Sequence, residues 1–306
     1  MKIGYACINT ELNSKKITTN RTMRRKTFDE KGLDVVSDLA LLNVKDLKTI
    51  IEWNNTKGIK LFRLSSGIFP WQDEYALSSL KDYDEICRIM GEIGAIATAS
   101  NQRLTMHPGP FNCLASPNEK VVAKTIRELN CHSEQMNMLG FTPSNYNKIN
   151  IHVGGSYGDK EATLKRFCEN FHLLNDDTKK RLVIENDDSP TEFSVKDLYE
   201  GVYKVIGIPI TFDFFHHIFN TGGLTEEEAL KLAATTWPEG ITQCCHYSES
   251  RRKEKLDESI RPQAHSDLIY NEIPTYGVDF DVVIEAKLKE QAIFNINKKD
   301  KLYENK

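Results

Sequence analysis

The sequence lacks any apolar run of about 18 residues, the length that a membrane-spanning helix requires. It also lacks a CxxC pair, and its seven cysteines are scattered, which argues against a disulfide framework and against a zinc ribbon. The N-terminus runs directly into a predicted strand, without the charged and apolar segments of a secretory leader. We therefore expect a protein that is not secreted, does not enter a membrane and works in a reducing compartment.

An excess of positive charge is absent too. The formal net charge is −4, whereas a protein that binds nucleic acid over its whole surface is usually basic. Two short basic runs, at residues 21–26 and 251–255, are local exceptions, and bound cations would offset part of the acidic charge. Charge alone therefore leaves the partner open. With 306 residues, of which 40% are hydrophobic, the chain can form one α/β barrel or two smaller domains.

Short apolar runs that favour strands alternate with segments of helical periodicity along the whole chain. Eight parallel strands alternating with helices predict a single-domain TIM barrel, whose functional face lies at the C-terminal ends of the strands. An open, doubly wound sheet is the main alternative, but it would gather ligands at one switch point and not on six strands. Ser194 and Thr225 are predicted helix N-caps, and Gly140 and Gly207 are predicted helix stops. The predicted strands cover residues 2–7, 60–64, 103–107, 149–153, 181–185, 208–213, 241–246 and 281–285.

Two polar segments interrupt this pattern. Residues 8–42 are predicted to form a long first crossover loop, and loops of that length are usually functional. The barrel domain is expected to cover residues 1–292. The Lys- and Asn-rich residues 293–306 are expected to form a flexible C-terminal tail.

Predicted strands end on side chains that can bind metal at six places: His107, His152, Glu185, Asp213, His246 and Glu285. In a parallel barrel these ends lie on one face and point at a common centre, which His216 and His265 can also reach. Imidazole mixed with carboxylate favours Zn²⁺, Mn²⁺ or Fe²⁺, and this many ligands indicates two or three ions. Such ions suit in-line displacement at phosphorus, but they also suit an aldose–ketose isomerase. The ligands alone do not decide between these reactions.

Longer motifs surround these residues: Thr19-Asn-Arg-Thr22, Arg103-Leu-Thr-Met-His-Pro-Gly-Pro-Phe111, Ile151-His-Val-Gly-Gly-Ser-Tyr-Gly158, Glu185-Asn-Asp187, Asp213-Phe-Phe-His-His217 and Glu285-Ala-Lys-Leu-Lys-Glu-Gln291. In order and spacing, from Tyr5 to about Gln291, the chain resembles the UV damage endonuclease family. The resemblance implies a TIM barrel related to endonuclease IV and a multi-metal site that favours Mn²⁺, with Zn²⁺, Mg²⁺ or Co²⁺ as alternatives. It implies a monomer that cuts damaged double-stranded DNA immediately 5′ of UV photoproducts and some other lesions, leaving a 3′-hydroxyl and a 5′-phosphate. Such an enzyme would work in the prokaryotic cytoplasm or nucleoid, or in a eukaryotic nucleus.

The resemblance also implies a role for individual residues. The metal ligands would be His107, His152, Glu185, Asp213, His216, His246, His265 and Glu285, with Glu185 as the bridging carboxylate. The catalytic candidates are Glu185, Asp213, Glu285 and the nearby Lys287. Tyr5 and Asn9 would line the lesion side of the pocket. Further DNA contacts are assigned to Asn20, Arg21, Arg24, Arg25, Pro110, Phe111 and Tyr157.

The chain departs from the family pattern in three features. Many members end the HPG motif with Gln-Tyr, which probes the damaged duplex, whereas this chain has Pro110 and Phe111. A Phe can still wedge between bases, but a Pro offers no side-chain amide, so the lesion range or affinity is expected to differ unless the pair only shapes a rigid turn. Some members carry a lysine at the position of Cys244, and some carry a His after strand 2, where residues 63–67 supply no ligand. A xylose-isomerase-like sugar isomerase or epimerase and a non-catalytic lesion-binding protein remain alternative functions.

Overall fold

All eight predicted strands are present in the computed structural model, which describes residues 1–296. They are β1 (Ile3–Ala6), β2 (Leu61–Leu64), β3 (Arg103–Met106), β4 (Ile149–Ile151), β5 (Leu182–Glu185), β6 (Ile210–Thr211), β7 (Gln243–Tyr247) and β8 (Phe280–Ile284). The strands pair in parallel in the order β6-β5-β4-β3-β2-β1-β8-β7. The strand prediction is thereby confirmed, although several strands are shorter than predicted.

The outermost strands of this order, β6 and β7, meet and close the sheet. Asp213 forms a parallel bridge with His246, whose N–H donates to the carbonyl of Phe212 at 2.9 Å. Closure of this kind is expected for eight tilted strands, which leave an interior just wide enough for side chains. The TIM-barrel prediction is confirmed, and the open doubly wound sheet is excluded.

Helices connect the strands and cover the outside of the barrel. They are α1 (Thr10–Asn13), α2 (Arg25–Thr56), α3 (Tyr83–Ala99), α4 (Glu119–Met138), α5 (Lys160–Phe171), α6 (Asp176–Arg181), α7 (Val195–Leu198), α8 (Lys204–Ile206), α9 (Phe214–Phe219), α10 (Glu226–Ala234) and α11 (Arg251–Lys255). Ser194 and Thr225 cap α7 and α10 through reciprocal capping boxes, as predicted. Gly140 and Gly207 follow α4 and α8 with φ of 78° and 73°, a conformation that glycine adopts without strain. Within residues 1–296, the structure contains no helix that is both long and apolar enough to cross a bilayer.

The first crossover is mostly helical, so the prediction of a long loop over residues 8–42 is wrong. Helix α2 begins at Arg25 and has 32 residues, with a bend at Gly32, where φ is 66°. Its buried apolar side chains recur at helical spacing: Val36, Ala40, Val44, Leu47, Ile50 and Ile51. The charged residues that suggested a loop lie mainly on the outer face of this helix, where charge is compatible with helix formation.

The barrel domain extends past the predicted boundary at residue 292. Residues 290–296 are helical, Ile293 is buried, and the rings of Phe294 and Trp53 lie 6.0 Å apart. Burial of these apolar side chains against α2 favours the packed helix over an exposed tail. The rest of the predicted tail, residues 297–306, lies outside the described residues.

Polar side chains fill much of the barrel interior. Residues two apart on a strand share one face of the sheet, so inward-facing side chains recur at every second position. Near the N-terminal ends of the strands, the buried guanidinium of Arg103 donates to Asp281 Oδ2 at 3.0 Å. In the next layer, Lys148 Nζ donates to Thr211 Oγ1 at 2.7 Å and to the carbonyl of Cys244 at 3.1 Å. Further along the same strand faces lie the predicted metal ligands, at the C-terminal end of the barrel.

Candidate metal centre

Glu185 lies at the centre of the predicted ligands. It is the last residue of β5 and is 1% exposed. Its Oε2 lies 3.2 Å from His107 Nε2 and 3.7 Å from His152 Nε2. Its Oε1 lies 3.0 Å from His246 Nδ1 and 3.5 Å from His216 Nδ1. One carboxylate therefore faces four imidazoles, two at each oxygen.

Partners on the far side of their rings orient His107 and His152. His107 Nδ1 lies 2.9 Å from the carbonyl oxygen of Pro108, a contact that a protonated Nδ1 satisfies. His152 Nδ1 lies 2.7 Å from Asp187 Oδ1, although it is not aligned for a hydrogen bond. In both rings Nε2 is the nitrogen that faces Glu185. A carboxylate or carbonyl behind the ring is the usual support of a metal-binding histidine.

Asp213 has one oxygen with a partner and one without. Its Oδ1 accepts a hydrogen bond from the backbone N–H of His216 at 2.8 Å and so caps α9. Its Oδ2 is buried, has no hydrogen-bond partner among the described residues, and lies 4.0 Å from Nδ1 of both His216 and His246. A buried carboxylate oxygen without a donor is costly unless a cation binds it. This oxygen is therefore placed to ligate an ion.

Two groups of three ligand atoms have the spacing of a metal site, and Glu185 belongs to both. The first group is His107, His152 and Glu185, and the second is Glu185, Asp213 and His246. Within each group the ligand atoms lie within 4.8 Å of one another. Imidazole nitrogens and carboxylate oxygens are ligands that zinc and similar divalent ions accept. The residues present therefore fit divalent metal at adjacent positions.

Glu285 follows β8 and contacts a cation that the chain itself supplies. Its Oε1 accepts a hydrogen bond from Arg63 Nη1 and lies 3.3 Å from His246 Nδ1. Burial alone would raise the pKa of Glu285, but the guanidinium of Arg63 and the imidazoles of His246 and His265 together outweigh burial and hold that pKa well below its usual range. Arg63 comes from β2, for which the sequence predicts no ligand. It is a site residue that sequence analysis missed.

His265 lies at the rim of the cluster. Its Nδ1 is 2.6 Å from Ser248 Oγ, and its ring centroid is 6.5 Å from that of His216. Both histidines line the cavity above the cluster. Neither of the two groups of ligand atoms includes His216 or His265, so their role as ligands stays a prediction.

The charges of the cluster shift several pKa values. Burial opposes protonation of His152, but Glu185 and Asp187 outweigh burial and raise its pKa to about 10. Burial also opposes a charge on His216, yet Asp213 and Glu185 raise its pKa to about 9. Burial raises the pKa of the Asp213 carboxyl to about 7. Metal binding at these groups therefore competes with protons at neutral pH.

Two buried side chains support the cluster from inside the barrel. Asn150 Nδ2 donates to Glu185 Oε2, and Lys148 Nζ lies 3.2 Å from His246 Nε2. Burial is the main cause that lowers the pKa of His246 to about 4, which keeps its imidazole neutral and able to bind metal. Sequence analysis missed both residues. The available signal was their spacing, since Lys148, Asn150 and His152 share one strand face.

A cavity of about 340 Å³ opens above the cluster, and Pro110 forms part of its wall. Phe111 follows Pro110 and is 91% exposed. Tyr157, in the loop after β4, is 52% exposed and has a φ of 50°. Exposed aromatic side chains beside a cavity are placed to contact a ligand that covers it. The structure thus brings Pro110, Phe111 and Tyr157 to the face that carries the candidate metal centre.

Tyr5 and Asn9 do not line the cavity. Tyr5 is fully buried, and its hydroxyl donates to Asn54 of α2 and accepts from Asn9, both at 2.8 Å. Asn9 is 1% exposed and caps α1 through its side chain. Ala6 packs inside the barrel, so the pleat of β1 turns its neighbour Tyr5 toward the helices. The structure contradicts the prediction that these residues line the lesion side of the pocket.

The first crossover contains four predicted DNA contacts: Asn20, Arg21, Arg24 and Arg25. Arg21 pairs with Asp46 at 2.6 Å, and Arg25 pairs with Glu74 at 2.7 Å. Asn20 accepts a hydrogen bond from Ser65, while Arg24 is exposed. Contact with DNA remains a prediction for all four, and Arg21 and Arg25 would have to exchange a carboxylate for a phosphate.

Lys287 does not line the cavity above the cluster, and its catalytic role stays a prediction. Its side chain is exposed, and its positive charge helps Lys255 to lower the pKa of Asp267. Lys289 is the lysine of this motif that lies near the site, where burial lowers its pKa and Glu285 partly offsets that effect. The turn after β8, in which Lys289 has a φ of 52°, brings the later lysine toward the barrel.

The closed parallel barrel and the buried carboxylate–histidine cluster at its C-terminal end define a TIM-barrel protein with a candidate metal centre. A sequence model of the UV-endonuclease UvdE family matches residues 1–305. The UV-damage endonuclease of Schizosaccharomyces pombe is 38% identical over 310 residues, which cover 96% of this chain but only 50% of that protein. The crystal structure of SacUVDE has a TM-score of 0.82 and 32% identity, and the match covers 95% of each chain. The chain therefore belongs to the UV-endonuclease UvdE family, which confirms the predicted resemblance.

Sugar epimerases share the barrel at much lower identity. D-psicose 3-epimerase from Clostridium cellulolyticum H10 has a TM-score of 0.54 and 15% identity, and the match covers 78% of each chain. At this identity the likeness shows the fold alone, since one barrel supports many chemistries.

Proposed function

We propose that this chain is a metal-dependent repair endonuclease that nicks damaged double-stranded DNA immediately 5′ of UV photoproducts. Cyclobutane dimers and 6-4 photoproducts are the proposed substrates, with other lesions such as abasic sites in addition. The products are a 3′-hydroxyl and a 5′-phosphate. The main support is the position of Glu185 between two groups of ligand atoms, in a chain that belongs to the UvdE family.

Two or three divalent ions are proposed for the centre, with Mn²⁺ favoured over Zn²⁺, Mg²⁺ or Co²⁺. His107 and His152 would hold metal through Nε2, and Glu185 and Asp213 would hold it through carboxylate oxygens. Metal bound there supplies Lewis acidity, which promotes ionisation of a water molecule and stabilises the charge that develops on the leaving 3′-oxygen.

The chain's own residues keep these ligands in the form that binds metal. Asp187 lies behind His152 and holds its ring in orientation, while Asn150 donates to Glu185. Arg63 keeps Glu285 ionised and holds its Oε1 beside His246. Because these supports are already in place, little reorganisation is required when substrate arrives.

Recognition of the lesion is assigned to the exposed residues around the cavity. Phe111 can enter the space between base pairs, and Pro110 restricts the backbone that presents it. A damaged step costs less to unstack than an intact one, and this difference favours binding at the lesion. The protein is proposed to act as a monomer where DNA is present, in the nucleoid of a prokaryote or the nucleus of a eukaryote.

A duplex that carries one cyclobutane dimer and a 5′ label tests the proposal. With Mn²⁺, the protein is expected to produce one labelled fragment that ends in a 3′-hydroxyl next to the dimer. An undamaged duplex and a reaction with EDTA are the controls. The proposal fails if no nick forms with Mn²⁺, Zn²⁺, Mg²⁺ or Co²⁺. Selective binding without a nick would indicate a lesion-binding protein, and turnover of ketoses without DNA binding would indicate a sugar isomerase.

A further inference from the structure

Arg261 lies on the wall of the cavity above the metal centre, in the loop that precedes His265. The acidic side chains on the same walls are Asp187, Asp188 and Glu192. Among the described residues that line the cavity, Arg261 is the only lysine or arginine. It is therefore the one guanidinium or ammonium group that a phosphate entering this cavity would meet, in addition to the histidines of the cluster.

The guanidinium of Arg261 is exposed and has no partner among residues 1–296. Four arginines of the first crossover and of α11 are paired instead: Arg21 with Asp46, Arg25 with Glu74, Arg251 with Asp267 and Arg252 with Glu258. Arg24 is exposed like Arg261 but does not line the cavity. An arginine without a carboxylate partner can bind a phosphate without first breaking an ion pair. Its planar guanidinium matches two phosphate oxygens at once, which a lysine does not.

One side-chain and two backbone hydrogen bonds hold the loop that carries Arg261. Arg252 Nε donates to the carbonyl of Ile260 at 2.8 Å, and the N–H of Ala264 donates to the carbonyl of Arg261 at 3.1 Å. The N–H of Arg251 donates to the carbonyl of Ala264 at 2.8 Å. The position of Arg261 relative to His265 is thus set before substrate binds, so less conformational entropy is lost on binding.

We propose that Arg261 binds a backbone phosphate of the damaged strand next to the phosphodiester that is cut, and thereby positions that strand over the metal centre. The inference rests on the proposed function. The carboxylates of Asp187, Asp188 and Glu192 repel phosphates, so the attraction of Arg261 selects the side of the cavity along which the strand runs. Arg261 is a binding and positioning residue in this proposal and takes no part in proton transfer.

The test compares Arg261→Ala, Arg261→Lys and Lys180→Ala with the unaltered protein. Lys180→Ala removes the same charge at the opposite end of the barrel, because α6 leads directly into the N-terminal end of β5. Binding of a dimer-containing duplex is measured by fluorescence anisotropy in EDTA, which prevents cleavage, at several NaCl concentrations. Steady-state nicking with Mn²⁺ supplies KM and kcat.

For Arg261→Ala we expect about tenfold weaker binding. The slope of log K against log [NaCl] should become less steep by about 0.9, which is the change for one lost phosphate contact. KM should rise and kcat should stay unchanged, because the contact is present in both ground and transition states. Arg261→Lys should keep the salt dependence while it loses part of the affinity, and Lys180→Ala should match the unaltered protein. Thermal unfolding verifies that each variant is folded.

Three outcomes would overturn this inference, and the first of them leaves the proposed function intact. If the unaltered protein binds and nicks the dimer duplex while Arg261→Ala has the same salt dependence and KM, the inference fails and the proposed function stands. If the unaltered protein neither binds nor nicks, both fail. A similar loss in Lys180→Ala would mean that only net charge matters, and this would also overturn the assignment.

Discussion

Glu185→Gln removes the charge from the carboxylate at the centre of the cluster and keeps the shape of the side chain. Both oxygens of Glu185 face imidazoles, and the residue belongs to both groups of candidate ligands. The substitution should therefore weaken metal binding throughout the centre and not at one position alone. It should also abolish nicking, because the proposed function depends on metal at this centre and Glu185 belongs to both ligand groups.

The size of the effect on stability follows from burial. Glu185 is 1% exposed, and it is a counter-charge for His152 and His216, whose pKa values are raised to about 10 and about 9. Loss of one partner from a buried ion pair typically costs roughly 3–5 kcal/mol, within a total stability of about 5–15 kcal/mol. The metal-free variant should thus remain folded, with a Tm lower by on the order of 10 °C.

The second measurement is the change in Tm on addition of Mn²⁺. At a free Mn²⁺ concentration of about 100 times Kd, one bound ion stabilises the native state by roughly 2.7 kcal/mol, which corresponds to a rise in Tm of several degrees. We expect this rise in the unaltered protein and its loss in Glu185→Gln. Differential scanning fluorimetry over a MnCl₂ series, followed by the nicking assay, measures both.

Glu192→Gln is the matched control, because Glu192 lines the same cavity but belongs to neither ligand group. It should keep the Mn²⁺-dependent rise in Tm and should still nick. The same rise in Tm and the same nicking in Glu185→Gln as in the unaltered protein would show that Glu185 does not hold metal.

Three further predictions concern the exposed ring of Phe111, the raised pKa values of His152 and His216, and the two lysines after β8. Phe111→Ala should weaken binding to dimer-containing DNA by roughly tenfold more than binding to intact DNA in a competition assay; equal losses would indicate that Phe111 only shapes a turn. Because the folded-state pKa values of His152 and His216 lie above 6.5, the stability they contribute to the metal-free protein is complete below pH 6.5 and is lost as pH rises through about 9 to 10. Urea unfolding in EDTA should show this decline, and a flat profile from pH 7 to 10 would contradict it. Lys289→Met should lower the nicking rate several-fold through the loss of positive charge near Glu285, whereas Lys287→Met should not; equal rates in both variants would remove Lys289 from the site.

Much of this architecture is determined by local sequence. Short-range patterns in the sequence predict the eight strands and the helix caps at Ser194 and Thr225. They also predict the ligands at or near the ends of six strands. The convergence of these ligands follows from the barrel, since parallel strands have their C-terminal ends on one face. This is why Glu185 and its neighbours could be predicted as a cluster.

The tertiary structure alone decided which side of a strand each remaining residue faces and which partner it meets. Tyr5 and Arg63 both belong to strands that lead to the site, yet Tyr5 packs toward α2, and Arg63 on β2 contacts Glu285 after β8, on the other side of β1. Lys148 and His246 are 98 residues apart and meet only in the closed barrel. The position of Arg261 depends on hydrogen bonds from α11 to its loop. Sequence patterns report the period of an element, whereas its orientation and its long-range partners are set by the packing of the whole chain.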